Sequence, residues 1–180
     1  GTPEALAYTD PQTGATAEGS LVQLDPATGT VTGELMLGLH PNAISSNRSE
    51  SRLYICNSSS DYISVIDTRK FKLLEKIPVS IFGNSTNLQG SMPNGLCLST
   101  DEKTLYVANG HDNALAVVRL SDKAGKSSQV LGFIPTEAFP SGISINGNQL
   151  VVANLEAQGA HIMVASKKAA SIHQQKASVS

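Results

Sequence analysis

The chain has 180 residues and no tryptophan, with only four phenylalanines and four tyrosines. That excludes a core organised around large rings, so valine, isoleucine, leucine and alanine must fill it. Charge is equally scarce, at 16% of residues with a formal net charge of -2. A nucleic-acid partner would require a basic stripe, and none is present. The lysines near the end (Lys167, Lys168, Lys176) sit in a polar tail and read as solvation. No apolar run reaches the roughly 18 residues of a membrane-spanning helix. Cysteine is limited to Cys56 and Cys97, too few for a disulfide framework. Both lie in strand-like apolar runs, where a buried free thiol behaves as a small hydrophobe; the sequence leaves a single disulfide between them open as the alternative. No basic-then-apolar leader opens the chain at Gly1-Thr2-Pro3-Glu4, which reads as the interior of something longer. Helical periodicity is absent from every ten-residue window except, weakly, Lys167 to Gln175.

What the chain does contain is repetition. Pro41-Asn42-Ala43-Ile44 lies 52 residues before Pro93-Asn94-Gly95-Leu96. At the same spacing of 52, Leu53-Tyr54-Ile55-Cys56-Asn57 falls on Leu105-Tyr106-Val107-Ala108-Asn109, and Ile63-Ser64-Val65-Ile66 falls on Leu115-Ala116-Val117-Val118. Register held over three strands and two turns is the signature of a repeat architecture. Partial copies flank this pair. Leu21 to Asp25 matches Ile63 to Asp67, and Glu34 to Leu37 matches Lys76 to Val79, both at a spacing of 42. Leu6-Ala7-Tyr8-Thr9 predicts a strand ahead of them. Pro140 to Ile145 restarts the unit, and Leu150 to Asn154 continues it across Asn146-Gly147-Asn148, where Asn-Gly is a strong hairpin signal.

Each unit offers four short strands separated by Gly, Asn, Asp, Ser and Pro. Four-stranded antiparallel sheets recurring every 40–50 residues or so predict an all-β chain, a partial β-propeller of about two full and two partial blades. The blade pieces fall at 5–37, 41–79, 93–134 and 140–154. The remainder, 155–180, is a degenerate polar segment with a truncated strand at 177–180. Because blades cover both faces of one another, the second strands read as continuous apolar runs rather than as an alternation.

Loops that enter the first strand and loops that join the second to the third meet on one rim of such a fold. His40, Asn42, Asn94, His111, Asp112 and Asn113 occupy them and are the candidate binding residues. Asn57, Asn109 and Asn154 recur at one position in every unit. A role repeated in every blade reads as a structural turn, since asparagine side chains bond nearby backbone amides. His40 and His111 align with Met92 and Ser59, so the repeat does not account for them. With Asp112 they could ligate a transition metal, but they lack the tight spacing of a metal motif, and we assign no metal site. His161 and His173 read as solvated. Ala124-Gly125-Lys126-Ser127 resembles the end of a phosphate loop, yet Leu120 stands where that motif needs glycine. Glycosylation triplets begin at Asn47, Asn57 and Asn84. Asp25, Asp67 and Asp101 read as turn formers at strand ends. No catalytic residue and no cofactor is assigned.

The strand Leu105-Tyr106-Val107-Ala108-Asn109 and the Asn or Asp turn that follows it resemble the YVTN family of β-propeller repeats. Ser80-Ile81-Phe82-Gly83-Asn84, Ser91-Met92-Pro93-Asn94 and the stretch Lys126 to Phe139 followed by Pro140 resemble one branch of it. In that branch the propeller precedes an alkaline-phosphatase-like phosphoesterase domain in exported bacterial proteins. The likeness covers about Leu21 to Asn154 and includes no phosphoesterase domain. It implies an extracellular or periplasmic location. It also implies a non-catalytic scaffold or binding module, or the accessory propeller of such an enzyme, with a protein partner domain or a cell-surface polymer as its partner. The long segment Ser80 to Met92 is the expected contact element, since insertions in rigid repeats often carry function. Open blade edges predict self-association.

Overall fold

The computed structural model describes residue 12 and residues 18–83, 90–121, 126–156 and 178–179. The strand expected at Leu6 to Thr9, Ala124 and Gly125 of the phosphate-loop-like stretch, Asn84, His161, His173 and the weakly helical Lys167 to Gln175 lie outside these described residues. The described strands form four antiparallel sheets. The first pairs β1 (Gly19–Leu24) with β2 (Val31–Leu37). The second is a meander of β3 (Pro41–Ser46), β4 (Arg52–Asn57), β5 (Tyr62–Asp67) and β6 (Lys72–Pro78). The third repeats it with β7 (Pro93–Leu98), β8 (Thr104–Asn109), β9 (Ala114–Arg119) and β10 (Gln129–Pro135). The fourth holds β11 (Ala138–Asn146), β12 (Gln149–Glu156) and the short β13 (Ser178–Val179). Among the second, third and fourth sheets, neighbours approach most closely through their first strands, β3 against β7 and β7 against β11. The first strands therefore lie inward, and the sheets fan out from them.

The backbone repeats more strictly than the side chains do. In sheets two, three and four the pairing of first and second strands slips at one place, between Pro41 and Ile44, Pro93 and Gly95, and Pro140 and Gly142. A bulge kept at one position in every sheet is a built feature that bends the inner strand and re-aims its residues. Immediately before the proline that opens or lies near the start of each inner strand (Pro41, Pro93, Pro140) stands a left-handed residue, His40 (φ 51°), Met92 (φ 54°) or Phe139 (φ 56°). Asp61 and Asn113 (both φ 52°) and Glu50 and Glu102 (φ 54° and 58°) form further matched pairs. At the strand ends, Asp25, Asp67 and Asp101 accept bonds from turn amides. Their carboxyls are held below the usual range, chiefly by the amide of Ala27, the amide of Lys70 and the hydroxyl of Ser99 respectively.

Alternation across a strand lets each inner sheet bury both faces. On β4, Tyr54 and Cys56 join Ile63, Val65 and Ile77 and pack on Leu105, Val107, Ala116 and Val118 of the third sheet. Ile55, on the opposite face, packs with Ile66 and Leu37, flanked by Leu21, Leu35 and Leu53. Ala108 and Leu115 carry the far side of the third sheet onto Val152, with Ile143 and Leu150 beside it. The first and third seams are built mainly from aliphatic groups, and among the described residues Tyr54 is the one aromatic side chain in the buried hydrophobic core.

One close approach fixes the third seam. A Cβ on Gly95 would stand 2.5 Å from the carbonyl oxygen of Ser141 in the next sheet. Backbone cannot yield there as a flexible side chain would. Gly95→Ala should therefore cost about 1–3 kcal/mol through overpacking, whereas Gly142→Ala meets only the Ala153 methyl at 3.5 Å and should be tolerated. Urea midpoints for the two variants check this; an unchanged midpoint for Gly95→Ala would show a looser seam.

Both cysteines are free thiols, which settles the alternative left by the sequence. Burial pushes Cys56 up to about 12 and also raises Cys97, against a smaller opposing contribution from the Ile145 backbone. A thiol whose folded pKa is raised leaves stability untouched below the unfolded value. Above that value the unfolded chain ionises first, so stability falls as pH rises. Tyr54, raised by burial, acts in the same direction. The melting temperature should therefore decline from about pH 9 upward. Native-state thiol labelling at neutral pH should leave Cys56 unmodified, and rapid labelling of both cysteines would contradict its burial.

Candidate functional site

The rim is assembled from two kinds of loop clipped side by side. Ser58 N donates to the His40 carbonyl (3.1 Å) and Ser59 N to that of Leu39 (3.2 Å). One sheet later, Gly110 N donates to Met92 O (3.0 Å) and His111 N to Ser91 O (3.2 Å). These bonds bring each entry loop against the turn that joins the second and third strands of its own sheet.

Two side chains then reach across to the following sheet. Asp61 is buried, and its carboxylate accepts the amides of Met92 (3.1 Å) and Gly90 (2.7 Å). Asn113 Oδ1 accepts the amide of Phe139 (2.9 Å). Two of these three donors, Met92 and Phe139, are left-handed residues at the inner-strand entries. Both acceptors are themselves left-handed, a conformation that aspartate and asparagine tolerate better than most residues. Their own carbonyls accept Val79 N and Thr136 N, both at 2.9 Å. On sequence Asp61 lies in a rim loop, Asn57 to Asp61, but is not singled out as a binding residue. The available signal was its spacing of 52 from Asn113, with a short acceptor side chain at both positions.

Asn57, Asn109 and Asn154 are all buried, at 2% exposure or less. The sequence expects such residues to bond their own turn amides. The first two do something wider. Asn57 Nδ2 donates to Ser64 Oγ (2.9 Å), Tyr62 O (3.1 Å) and Ile55 O (3.3 Å) within its sheet, while its Oδ1 accepts Gly38 N (3.0 Å) from the chain leaving the first sheet. Asn109 Nδ2 donates to Val79 O (2.6 Å), just past β6 of the second sheet, and to Asp112 Oδ2 (2.9 Å). These amides staple one sheet to its predecessor as well as shaping a turn.

The binding candidates fall into two groups. His40 and Asn42 are exposed on the second sheet; His40 Nδ1 lies 2.6 Å from Ser59 Oγ, and Asn42 Oδ1 accepts Ala43 N (2.7 Å). The repeat did not explain His40 from sequence, but the structure does, because its backbone holds the left-handed place shared with Met92 and Phe139. Asn94, His111, Asp112 and Asn113 gather between the third and fourth sheets. His111 Nδ1 lies 2.9 Å from Gly90 O, and its ring meets the edge of Phe139 at 5.6 Å. Asn94 lies against Gly110, so that a Cβ there would stand 2.8 Å from Asn94 Nδ2. Asp112 and Asn113 spend their oxygens on Asn109 and Phe139. Among the described residues, no three His, Cys, Asp or Glu side chains converge as metal ligands. The surface is one of amides, hydroxyls and imidazoles, suited to hydrogen bonding.

Of the segment Ser80 to Met92, the described residues are 80–83 and 90–92, and they comprise buried serines and an exposed apolar pair. Ser80 and Ser91 are buried and joined through their hydroxyls (3.0 Å). Ile81 and Phe82 are 45% and 58% exposed.

Solved structures share this fold. Hydrazine synthase of Kuenenia stuttgartiensis matches at a TM-score of 0.61 and 25% identity, over 81% of this chain and 39% of its own. A putative 6-phosphogluconolactonase of Bacteroides uniformis matches at 0.59 and 17%, over 79% of this chain and 43% of its own. A Lactobacillus plantarum protein matches at 0.60 and 19%, over 78% and 43%. The fold is a partial β-propeller. The chain spans about two fifths of the length of each of these proteins. No family model matches it, and neither does any curated protein.

The staples carry a stability prediction. Asn57→Ala orphans the buried Gly38 amide and removes the two amide hydrogens shared among Ser64, Tyr62 and Ile55, so it should cost roughly 2–3 kcal/mol, and Asn109→Ala about 1–2 kcal/mol. Asp61→Asn can keep the Met92 bond and lose the Gly90 one, so its effect should fall below that of Asp61→Ala. Chemical denaturation of the four variants tests the order; equal melting of Asp61→Ala and parent would remove the cross-sheet role.

Proposed function

We propose that this chain is a non-catalytic propeller module of the YVTN type, part of a larger exported bacterial protein. Its turn-rich rim is presented to a partner domain or a cell-surface polymer. The observation that supports this most directly is the segment after β6. Its base is pinned by Asp61, Ser80, Ser91 and His111, while Ile81 and Phe82 stand in solvent. An apolar pair held out from a fixed base is a pre-organised contact, which limits the ordering cost of binding. The amide and hydroxyl groups of the rim would supply the polar border of such an interface.

A second reading makes the same surface the seat of an alkaline-phosphatase-like phosphoesterase domain, with the propeller shaping access to that active site. The residues Ser80 to Asn84 and Lys126 to Pro140, through their resemblance to that branch, favour it.

Removing the whole segment would also remove the bonds to Asp61, so point changes are the cleaner test. Ile81→Ser with Phe82→Ser should leave the melting temperature within a few degrees of the parent. The same pair should abolish retention on bacterial cell-wall preparations or on a separately expressed phosphoesterase domain, whichever the parent binds. A parent retained by neither would refute the proposal. Retention of the double variant equal to the parent's would remove the segment from the contact.

A further inference from the structure

The charged side chains are sorted between the two ends of the sheets. The rim end carries Glu18, Asp61, Asp112 and Glu137 and, among the described residues, no lysine or arginine. Lys76, midway along β6, lies over the Tyr62 ring at 4.9 Å. Every other described lysine and arginine stands in or beside the turns at the far end. Arg69 and Lys70 lie in the β5–β6 turn, and Lys72 opens β6. Lys103 lies in the β7–β8 turn, Arg119 closes β9, and Lys126 lies in the loop that follows it. All six are exposed.

Bonds across the seam gather these turns into one surface. Arg48, in the β3–β4 turn, donates to Thr100 O (3.2 Å), and Arg52 donates to Ser121 O (3.1 Å). Glu75 holds the amide and hydroxyl of Ser128. The carboxylates here are engaged by the fold's own donors. Asp67 accepts the amides of Arg69 and Lys70, Asp101 accepts Ser99 Oγ and the Lys103 amide, and Glu102 accepts the Arg48 amide. Asp67 also feels Lys70 and Lys72, and Asp101 feels Lys103, which offsets part of the positive charge, as does the exposed Glu50. The cations at this end still outnumber the carboxylates. No exposed aromatic ring accompanies them among the described residues. Phe71 is half-buried and packs against Gly33, where an added Cβ would stand 2.8 Å from its ring. Separated cations without a stacking platform suit a flexible chain of anions better than they suit nucleobases.

We infer that the far end of the second and third sheets binds a linear polyanion without bases, laid across the β5–β6, β7–β8 and β9–β10 turns. Successive anionic groups displace counterions from themselves as they meet the exposed lysines and arginines, so the contact is salt-sensitive. The acidic rim is repelled by the same polymer, which leaves the rim pointing away from it. The surface consists of sheet ends rather than sheet flanks, so it does not depend on what adjoins the first and fourth sheets. The inference is likewise independent of what the rim binds.

Long-chain inorganic polyphosphate, titrated into the purified 180-residue chain, should bind at low salt and weaken steeply as sodium chloride is added. Lys70→Gln, Lys103→Gln and Lys126→Gln together should weaken binding by about tenfold or more and keep the melting temperature within a few degrees of the parent. Glu137→Gln at the rim end, and Lys167→Gln with Lys168→Gln in the tail, should leave the affinity unchanged. Absence of binding at low salt overturns the inference. So does a loss that follows the tail pair instead of the turn lysines. Tighter binding of a single-stranded DNA oligonucleotide than of polyphosphate overturns it in favour of a nucleic acid. Capture by phosphatidylglycerol vesicles without binding of polyphosphate overturns it in favour of a membrane surface.

Discussion

The seam between the second and third sheets is the interaction on which the rest depends. Ile63, Val65 and Ile77 on one side and Leu105, Val107 and Val118 on the other are almost wholly withdrawn from water. Each such side chain contributes on the order of 1.5–3 kcal/mol by burial. No strand pair of this length would be independently stable in water, since an isolated hairpin is marginal. Stability therefore belongs to the stack of sheets rather than to any one of them, as expected of repeat proteins whose units bury one another.

Apolar faces alone do not fix how far one sheet rotates on the next. Directional bonds across the seams do. Asp61 and Asn113 hold the amides that open the next inner strand, and Asn57 and Asn109 reach back to the sheet before. At the opposite end of the sheets, Arg48 N donates to the Glu102 carboxylate and its guanidinium to Thr100 O, Arg52 donates to Ser121 O, and Glu75 accepts both the amide and hydroxyl of Ser128. The seam is thus pinned at the rim and at the far end, with the aliphatic layer between. A rim held this way offers a fixed hydrogen-bonding surface, the property a binding module needs.

Much of this was legible in the residues. The spacing of 52 between Pro41 and Pro93 announced the matching meanders, and the runs Leu53 to Asn57 and Leu105 to Asn109 announced strands covered on both faces. The candidate rim was legible only in part. His111, Asn94 and Asn113 share one seam, which their loops suggested. The left-handed place of His40 was not visible, because it is a property of backbone conformation that Met92 and Phe139 meet with quite different side chains, and the cross-sheet bonds of Asp61 left only its spacing of 52 from Asn113 as a trace. The burial of Ser80 and Ser91 beside an exposed Ile81–Phe82 pair was hidden for a similar reason. Serine carries no burial signal, and its partner lies eleven residues away.

By itself, then, the sequence determined the unit and its period, because apolar alternation and turn residues act locally and leave a local record. It also determined that the core would be aliphatic, since it contains little else to bury. The tertiary structure alone decided which polar atoms bridge the sheets, why Gly95 admits no side chain, and which apolar faces are left to water. Those outcomes depend on where a neighbouring sheet lies within an ångström or so, and that distance is set by the packing of the whole stack rather than by any residue's immediate surroundings.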